Sequence, residues 1–376
     1  MDFELPEDVR IMQKDFRAFC TKEIAPLVDE AEEEEKFPVE LWRKMGKLGY
    51  LGLTVSPEYG GSGFGLLPAT VVSEELSRIN VGIATAFALP FLLLPVIEKF
   101  GTSEQKQRYL IPGAKGEAIM AIALTEPNAG SDLEAIETMA FKEGDTYVIN
   151  GTKTFITNAS ISDWMLTLVY IDKAMKLNGT RLVFTEKETP GIGFTKLRKM
   201  CSRPSDTCEV SYENVRVPER NILGGDVSFR DTVGLFNSER VYLAARALGN
   251  AQAAFEASLK YAKERTAFGK SIASYQAIKF RLTSAAMNLE AGRLLTYKAA
   301  WLRDQGKPFV KEASMAKVFT SQAAERICLD AMHIHGGYGV MSDLPIQRYV
   351  RDIGTFQIGG GTTEMQHLRI AKEIGM

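Results

Sequence analysis

The sequence predicts an α+β fold in which a helical domain, a β domain and a helical bundle follow one another along 376 residues. Residues 1–118 contain long amphipathic or apolar runs, and residues 119–225 contain short β-branched and aromatic runs between turn signals. Residues 226–376 return to long runs rich in Ala, Leu, Lys and Glu. These three changes of character predict domains at 1–118, 119–225 and 226–376.

In the first domain the sequence predicts helices at residues 67–76 and 81–100. The second is apolar nearly all round, which is typical of a helix in a core. Its apolar run is too short for a membrane span and contains two prolines. Ala84, Ala88 and Phe91 either pack in that core or line an apolar pocket. The acidic run 30–35 is interpreted as a solvated helix end.

The second and third domains differ in the period of their apolar residues. Strands are expected at 147–149, 164–171, 181–184 and 209–215, with Gly-containing turns between them. Long helices joined by short links are expected after residue 226, which favours an antiparallel bundle. The helices predicted there with defined limits lie at residues 276–304, 309–334 and 362–373.

Net charge, the first residues and the cysteine pattern limit the classes of function and the cellular location to be expected. A formal net charge of −2 gives no reason to expect a nucleic-acid surface. The first residues, Met-Asp-Phe-Glu-Leu, are acidic and do not resemble a targeting peptide. The four cysteines, at positions 20, 201, 208 and 328, form no CxxC pair, so a reducing compartment is the simple expectation. We therefore expect a cytoplasmic protein without a membrane span.

Residues 121–132, Ala-Ile-Ala-Leu-Thr-Glu-Pro-Asn-Ala-Gly-Ser-Asp, form the stretch around which the chain is organised. An apolar strand-like run ends there in a polar turn. Free N–H groups and two hydroxyls at such a turn can bind a phosphate or a ring edge, and Gly130 permits close approach. An ordinary strand end with turn chemistry is the alternative.

This stretch resembles the first signature of the acyl-CoA dehydrogenase family. Residues 333–352, beginning His-Ile-His-Gly-Gly-Tyr-Gly, are similar to the second signature, and residues 264–270 (Glu-Arg-Thr-Ala-Phe-Gly-Lys) to the flavin-contacting turn. The likeness covers nearly the whole chain. It implies an N-terminal helical domain, a middle β domain and a C-terminal four-helix bundle. It also implies FAD, an acyl-CoA substrate, a homotetramer and electron transfer to an electron-transfer flavoprotein.

The reaction of that family needs a base for the α-proton, a flavin for the β-hydride and hydrogen bonds to the thioester oxygen. The resemblance implies that Arg265 and Phe268 come from a neighbouring subunit. This chain departs from the family pattern at three of the cofactor-binding positions. Phe155 stands where Trp is usual, His333 where Gln is usual, and Glu364 where Gln is common. His333 and His335 are a poor candidate for a metal site, since residues two apart on a helix face different ways. The implied cofactor-binding residues are Leu124, Thr125, Gly130, Ser131, Phe155, Ile156, Thr157, Arg265, Phe268, Gln276, His333, Gly336, Gly337, Thr362 and Glu364.

The catalytic base is the main departure from the family pattern. Many members carry it in a Glu-Gly-Thr near the C-terminus, where this chain has Gly360-Gly361-Thr362. A minority, the isovaleryl-CoA and long-chain types, carries it on another helix, and Glu239 matches that position. An exposed Glu in a first helical turn is the alternative reading. The implied substrate-binding residues are Ser131, Asn237, Arg240, Gly360 and Gly361.

Gly359 and Gly360 remove side chains beside the expected thioester site, so we expect room for a branched, cyclic or aryl acyl group. A turn that requires glycine dihedrals is the alternative, and both can hold. Arg203 either meets a substrate carboxylate or forms a surface ion pair. The sequence leaves three functions open: acyl-CoA dehydrogenation, an enoyl-CoA reductase or cyclic dienoyl-CoA-forming relative with a different base, and a non-catalytic flavoprotein that binds acyl-CoA.

Overall fold

A computed structural model describes residues 4–376 and confirms the helical, β, helical order. The N-terminal helices pack around α5, whose first turn is capped by Asn80 through a hydrogen bond from the Ile83 N–H. Trp42 stacks on Phe87 of α5 inside this core. The helices are α1 (Glu7–Phe19), α2 (Val28–Glu33), α3 (Glu40–Lys47), α4 (Leu66–Ile79), α5 (Val81–Phe100), α6 (Ser103–Gln105) and α7 (Ile111–Ala114).

The predicted core helix is confirmed as α5. Within residues 4–376 it is the one helix long and apolar enough to cross a membrane, so the expectation that its apolar run is too short for a span is wrong on length and composition alone. However, 83% of its apolar window is buried against the rest of the protein. That burial is typical of the central helix of a domain core.

The middle domain is one seven-stranded sheet. Strand β1 pairs in parallel with β4, and β4 pairs antiparallel with β5. Strands β2, β3, β7 and β6 follow in that order, and each is antiparallel to the next. The four predicted strands are confirmed as β3, β4, β5 and β7, whereas β2 and β6 lie outside the predicted segments. The strands are β1 (Met120–Ala123), β2 (Met139–Glu143), β3 (Thr146–Thr157), β4 (Trp164–Tyr170), β5 (Thr180–Glu186), β6 (Ile192–Lys196) and β7 (Thr207–Pro218).

The C-terminal bundle is built from α9, α10 and α11, with α14 packed on α11. Helix α9 also packs on α4 and α5 of the N-terminal domain, so its first turns lie between two domains. A short hairpin, β8 (Thr266–Ala267) and β9 (Lys270–Ser271), follows α9. The helices are α8 (Phe229–Phe236), α9 (Ser238–Glu264), α10 (Gln276–Asp304), α11 (Val310–His335), α12 (Ile346–Ile353), α13 (Thr355–Ile358) and α14 (Thr363–Glu373).

All three domains meet beside α12. The Asp352 carboxylate accepts a hydrogen bond of 2.7 Å from the Ser202 N–H of the middle domain. Arg351 donates to Glu32 of α2 at 2.9 Å. Glu32 is 7% exposed, so the interpretation of the acidic run as a solvated helix end is wrong for this residue. Its charge is paired across a domain boundary instead.

Candidate active site

Glu239 lies in the first turn of α9, directly beside the turn that contains Gly360. A Cβ atom built on Gly360 would overlap Leu243 Cδ1 and would lie 3.3 Å from Glu239 Cδ and 3.4 Å from its Oε1. The Glu239 carboxyl group therefore lies where a side chain at position 360 would project. The two positions that the resemblance implies for a base, 239 and 360, therefore lie side by side in this fold.

Three cations surround this carboxyl group. Burial raises the pKa of Glu239 above the ordinary value for a glutamate, while Arg246, Lys317 and Arg240 act in the opposite direction. The residue keeps part of its surface exposed, yet protein atoms enclose its carboxyl group densely enough for desolvation to dominate. A carboxylate with a raised pKa, partly screened from water, is suited to proton abstraction.

The glycine turn is held by a buried lysine. Lys317 of α11 is 1% exposed, and its Nζ donates to the Gly359 carbonyl at 2.6 Å and to the Gly361 carbonyl. Burial lowers the pKa of Lys317 to about 8. Gly360 and Gly361 have φ values of 63° and 87°, which favour glycine. Within residues 4–376 the Gly360 N–H has no acceptor, so it is available to a ligand.

The space beside Gly360 is not open. Glu239 and Leu243 fill it. The expectation that Gly360 makes room for a branched, cyclic or aryl acyl group is therefore wrong. A Cβ on Gly359 would meet only the Thr355 carbonyl, at 3.3 Å. The structure instead supports the alternative explanation for Gly360, a turn whose positive φ requires glycine.

The other predicted substrate residues separate into two groups. Asn237 is buried, donates to the Gly234 carbonyl at 3.0 Å and accepts a hydrogen bond from Arg240. Burial lowers the pKa of Arg240, and its Nε has no partner within residues 4–376. Both therefore adjoin Glu239. Ser131 lies instead on the exposed turn of the middle domain.

That turn is anchored by a buried ion pair. Lys153 Nζ lies 2.7 Å from Glu126 Oε1 and also donates to the Leu124 carbonyl at 3.0 Å. Burial lowers the pKa of Lys153 to about 8. The Thr154 N–H donates to the Thr125 carbonyl at 2.8 Å. Strand β3 thus fixes the backbone on both sides of Thr125.

A bulge in β3 turns Phe155 outward. The register between β3 and β7 shifts between Lys153 and Ile156, and Phe155 has φ 60° with 68% of its surface exposed. A positive φ is costly for an aromatic residue, and such strain concentrates at ligand sites. Ile156 is buried and Thr157 partly exposed on the same strand. The bulge presents an aromatic face beside the polar turn.

A second ligand-sized depression lies in the C-terminal domain. A cleft of about 580 Å³ is lined by Arg265, Tyr261, Gly336, Gly337 and other residues. Side chains built on Gly336 and Gly337 would meet nothing within 4 Å, so the backbone is open there. Phe268, at the tip of the β8–β9 hairpin, is 96% exposed. Strand β9 of the hairpin packs on α9.

The remaining predicted cofactor residues lie at the surface. Gln276 begins α10 and is exposed, and His333 is exposed with Nδ1 3.5 Å from Arg281 Nη1. Thr362 caps α14, and Glu364 in the first turn of that helix is exposed. Backbone and Thr362 hydrogen bonds lower the pKa of Glu364, which makes it a poor base compared with Glu239.

The available surfaces suit an FAD. A turn with an open glycine at position 130 and an outward aromatic ring can receive an isoalloxazine ring. An arginine beside two open glycines can receive a pyrophosphate and its nucleoside. Within one chain the two surfaces belong to different domains.

Comparison with known families decides the relationship. Residues 6–117, 121–215 and 229–375 match the models of the acyl-CoA dehydrogenase N-terminal, middle and C-terminal domains. The chain belongs to the acyl-CoA dehydrogenase family. It is thus an oxidoreductase of a family whose members depend on FAD, and the expected fold is confirmed.

Individual family members align with this acyl-CoA dehydrogenase from end to end. The probable acyl-CoA dehydrogenase YngJ of Bacillus subtilis is 40% identical, covering 100% of both chains. The 3-(aryl)acrylate reductase of Clostridium sporogenes is 39% identical over 98% of both chains. The butyryl-CoA dehydrogenase structure from Megasphaera elsdenii superposes with a TM-score of 0.96, at 35% identity over 100% of both chains. The family thus includes proteins named for dehydrogenation and for reduction.

Sequence reasoning missed three buried cations: Lys153, Lys317 and Arg246. In the sequence each resembles an ordinary surface residue of a strand or helix. A lysine or arginine flanked by small residues, as in Ala316-Lys317-Val318 and Ala245-Arg246-Ala247, was the available signal. It marks a charge on a tightly packed face.

Proposed function

We propose that this protein is an FAD-dependent acyl-CoA dehydrogenase that uses Glu239 as the base for the α-proton of an acyl-CoA thioester. The observation that carries the proposal is the position of the Glu239 carboxyl group, in the space that a side chain at Gly360 would occupy. The chain thus retains a carboxylate at the place where a glycine replaces the more common base.

The reaction assigns a role to each group around Glu239. A Glu239 oxygen takes the α-proton, and the raised pKa of the carboxyl group brings its basicity closer to what proton abstraction needs. The free Gly360 N–H donates to the thioester oxygen, where negative charge develops. Lys317 holds the carbonyls on both sides and so fixes the direction of that N–H. FAD, when bound, would supply the acceptor for the β-hydride, which no side chain of the protein can provide.

The proposed cofactor contacts come from two subunits. Thr125, Gly130, Ser131 and the segment 155–157 would hold the ring of one flavin, and Arg265 and Phe268 of a neighbouring subunit would reach it. The exposure of the hairpin supports this arrangement, because Phe268 is 96% exposed on a single chain. A homotetramer and an electron-transfer flavoprotein as the electron acceptor belong to the same proposal.

Anaerobic bleaching of the flavin tests the proposal. The purified protein should be yellow, and a suitable acyl-CoA should remove its flavin absorbance without added electron acceptor. A panel of straight, branched, cyclic and dicarboxylic acyl-CoAs covers the substrate classes. A colourless protein that takes up no FAD contradicts the proposal. A spectral change without bleaching by any member indicates binding without catalysis.

The reverse direction is a second candidate, because one relative 39% identical to this chain is named as a reductase. In that direction Glu239 would return a proton to the α-carbon. The flavin reduced chemically with dithionite and then mixed with enoyl-CoA should regain its absorbance if reduction is favoured. Comparing the two anaerobic rates on one acyl/enoyl pair assigns the faster direction.

A further inference from the structure

Arg246 is a charged side chain inside the protein with almost no protein partner. It lies on α9 and is 5% exposed. Its guanidinium group has one acceptor within residues 4–376, the Thr85 hydroxyl at 3.2 Å, and its Nε has none. A guanidinium group has five N–H donors, and a buried charge without partners is costly. The site therefore has unused donor capacity.

The position of Arg246 relates it to the proposed base. Residues seven apart on a helix share one face, and long side chains lean toward the helix N-terminus. Arg246 therefore leans toward Glu239, two turns earlier on α9. Its hydrogen bond to Thr85 brings the guanidinium group against α5, beside Ala84 and one turn from Ala88. Both alanines are buried, at 2% and 8% exposed, and the sequence left open whether they pack in the core or line a pocket.

The charges at this site do not balance. Arg246, Lys317 and Arg240 all act on Glu239, and within residues 4–376 Glu239 is the one carboxylate that acts on Arg246. No oxygen of Glu239 lies within 4.0 Å of a cation in the described chain, so none of these charges is neutralised by a direct ion pair. Glu364, which acts on Lys317, is exposed. A second anion near Arg246 would offset the surplus positive charge.

We propose that Arg246 selects an acyl group that carries a carboxylate at the end remote from the thioester. This inference rests on the proposed function, because it places the α-carbon beside Glu239. A guanidinium fork matches a carboxylate in a bidentate arrangement. Seven residues span about 10 Å of helix, and the leaning side chain shortens that distance, which suits a dicarboxylyl group of roughly four to six carbons.

Arg203, the other arginine considered for a substrate carboxylate, does not fit this role. Its side chain is 41% exposed, and Glu35 Oε1 lies 3.9 Å from its Nε, although that Nε, like the one of Arg246, makes no hydrogen bond within residues 4–376. It thus resembles the surface ion pair that the sequence left as the alternative. The same residue offers a matched control. Arg203→Gln also removes one positive charge, but at a position that does not adjoin Glu239.

The test compares dicarboxylic and monocarboxylic acyl-CoAs of equal carbon number. Glutaryl-CoA and adipyl-CoA should reduce the wild-type flavin with higher kcat/KM than valeryl-CoA and hexanoyl-CoA. Arg246→Gln should lower the dicarboxylic values by roughly 10- to 100-fold, the range expected for losing a charge-assisted pair, and change the monocarboxylic values much less. Arg203→Gln should leave the preference unchanged.

Binding without turnover gives a second readout. In a Glu239→Gln background, calorimetric titration should show tighter binding of glutaryl-CoA than of valeryl-CoA, and Arg246→Gln should abolish the difference. Thr85→Val, which removes the one acceptor that orients Arg246, should weaken the preference and serves if Arg246→Gln does not fold. Equal losses for both substrate classes, or no wild-type preference among substrates that do bleach the flavin, would overturn the inference. Absence of bleaching by any acyl-CoA would instead reject the proposed function.

Discussion

The turn at Gly360 is enclosed by α9 and α11, whereas the hairpin that carries Arg265 projects from the bundle with Phe268 96% exposed. Around Gly360, one chain supplies the carboxylate, the cations and the free N–H. Around Arg265, the proposed flavin surface would need a contribution from a neighbouring chain. The groups proposed for proton transfer therefore all lie within one subunit, while the proposed flavin site would depend on assembly.

The buried ion pair behind the polar turn should give the largest stability effect. Lys153→Met leaves Glu126 buried without its cation and should lower the free energy of unfolding by about 3–5 kcal/mol. The double variant Lys153→Met with Glu126→Gln should recover part of that loss, because it removes the uncompensated charge. Urea unfolding with and without FAD measures both. A loss in the single variant below 1 kcal/mol would show that the turn does not depend on this pair.

Loss of the hairpin arginine should affect the cofactor and leave the base site intact. Arg265→Ala should weaken FAD binding by roughly 10- to 100-fold through loss of a charge-assisted contact. Sedimentation of the wild type should give a tetramer, or at least a dimer. Once saturated with FAD, the variant should be reduced at a rate close to the wild type. A wild-type monomer that holds FAD fully would contradict the division between the two sites.

Most of the fold followed from periodicity, but the electrostatics of the site did not. Helices α5 and α10 begin and end where the sequence predicts: Asn80 caps α5 and Gly101 follows it, and Gly306 and Pro308 follow α10. The short strands β2 and β6 lack a clear alternating pattern, and their pairing with β3 and β7 depends on tertiary context.

Candidate site residues could be predicted where they belong to a sequence motif. They could not be predicted where their position depends on tertiary contacts. Glu239 could be proposed as the base because the resemblance places the more common base position at Gly360. That Leu243 and Glu239 fill the space at Gly360 depends on the packing of α9 against the turn. Arg246 and Lys317 resemble surface residues in the sequence, since a charged residue in a helix usually faces solvent.

The pH dependence of flavin reduction should report the enclosed site. Glu239 accepts a proton only when ionised, so the rate should fall as the pH decreases through its pKa. Burial raises that pKa, and the acid limb should therefore lie above the ordinary range of a glutamate. Arg246→Gln removes a cation that lowers this pKa, so the limb should move to higher pH with a monocarboxylic acyl-CoA. A limb at the ordinary glutamate value, unmoved in the variant, would place the titrating group elsewhere.

Anaerobic stopped-flow reduction of Glu239→Gln tests the central claim most directly. Glutamine keeps the shape of the side chain and removes its basicity, so FAD and acyl-CoA should still bind. The account predicts that acyl-CoA reduces the flavin of the variant at least ~100-fold more slowly than the wild type, the scale usual for loss of a general base. Reduction at the wild-type rate would contradict the account and place the base at another residue.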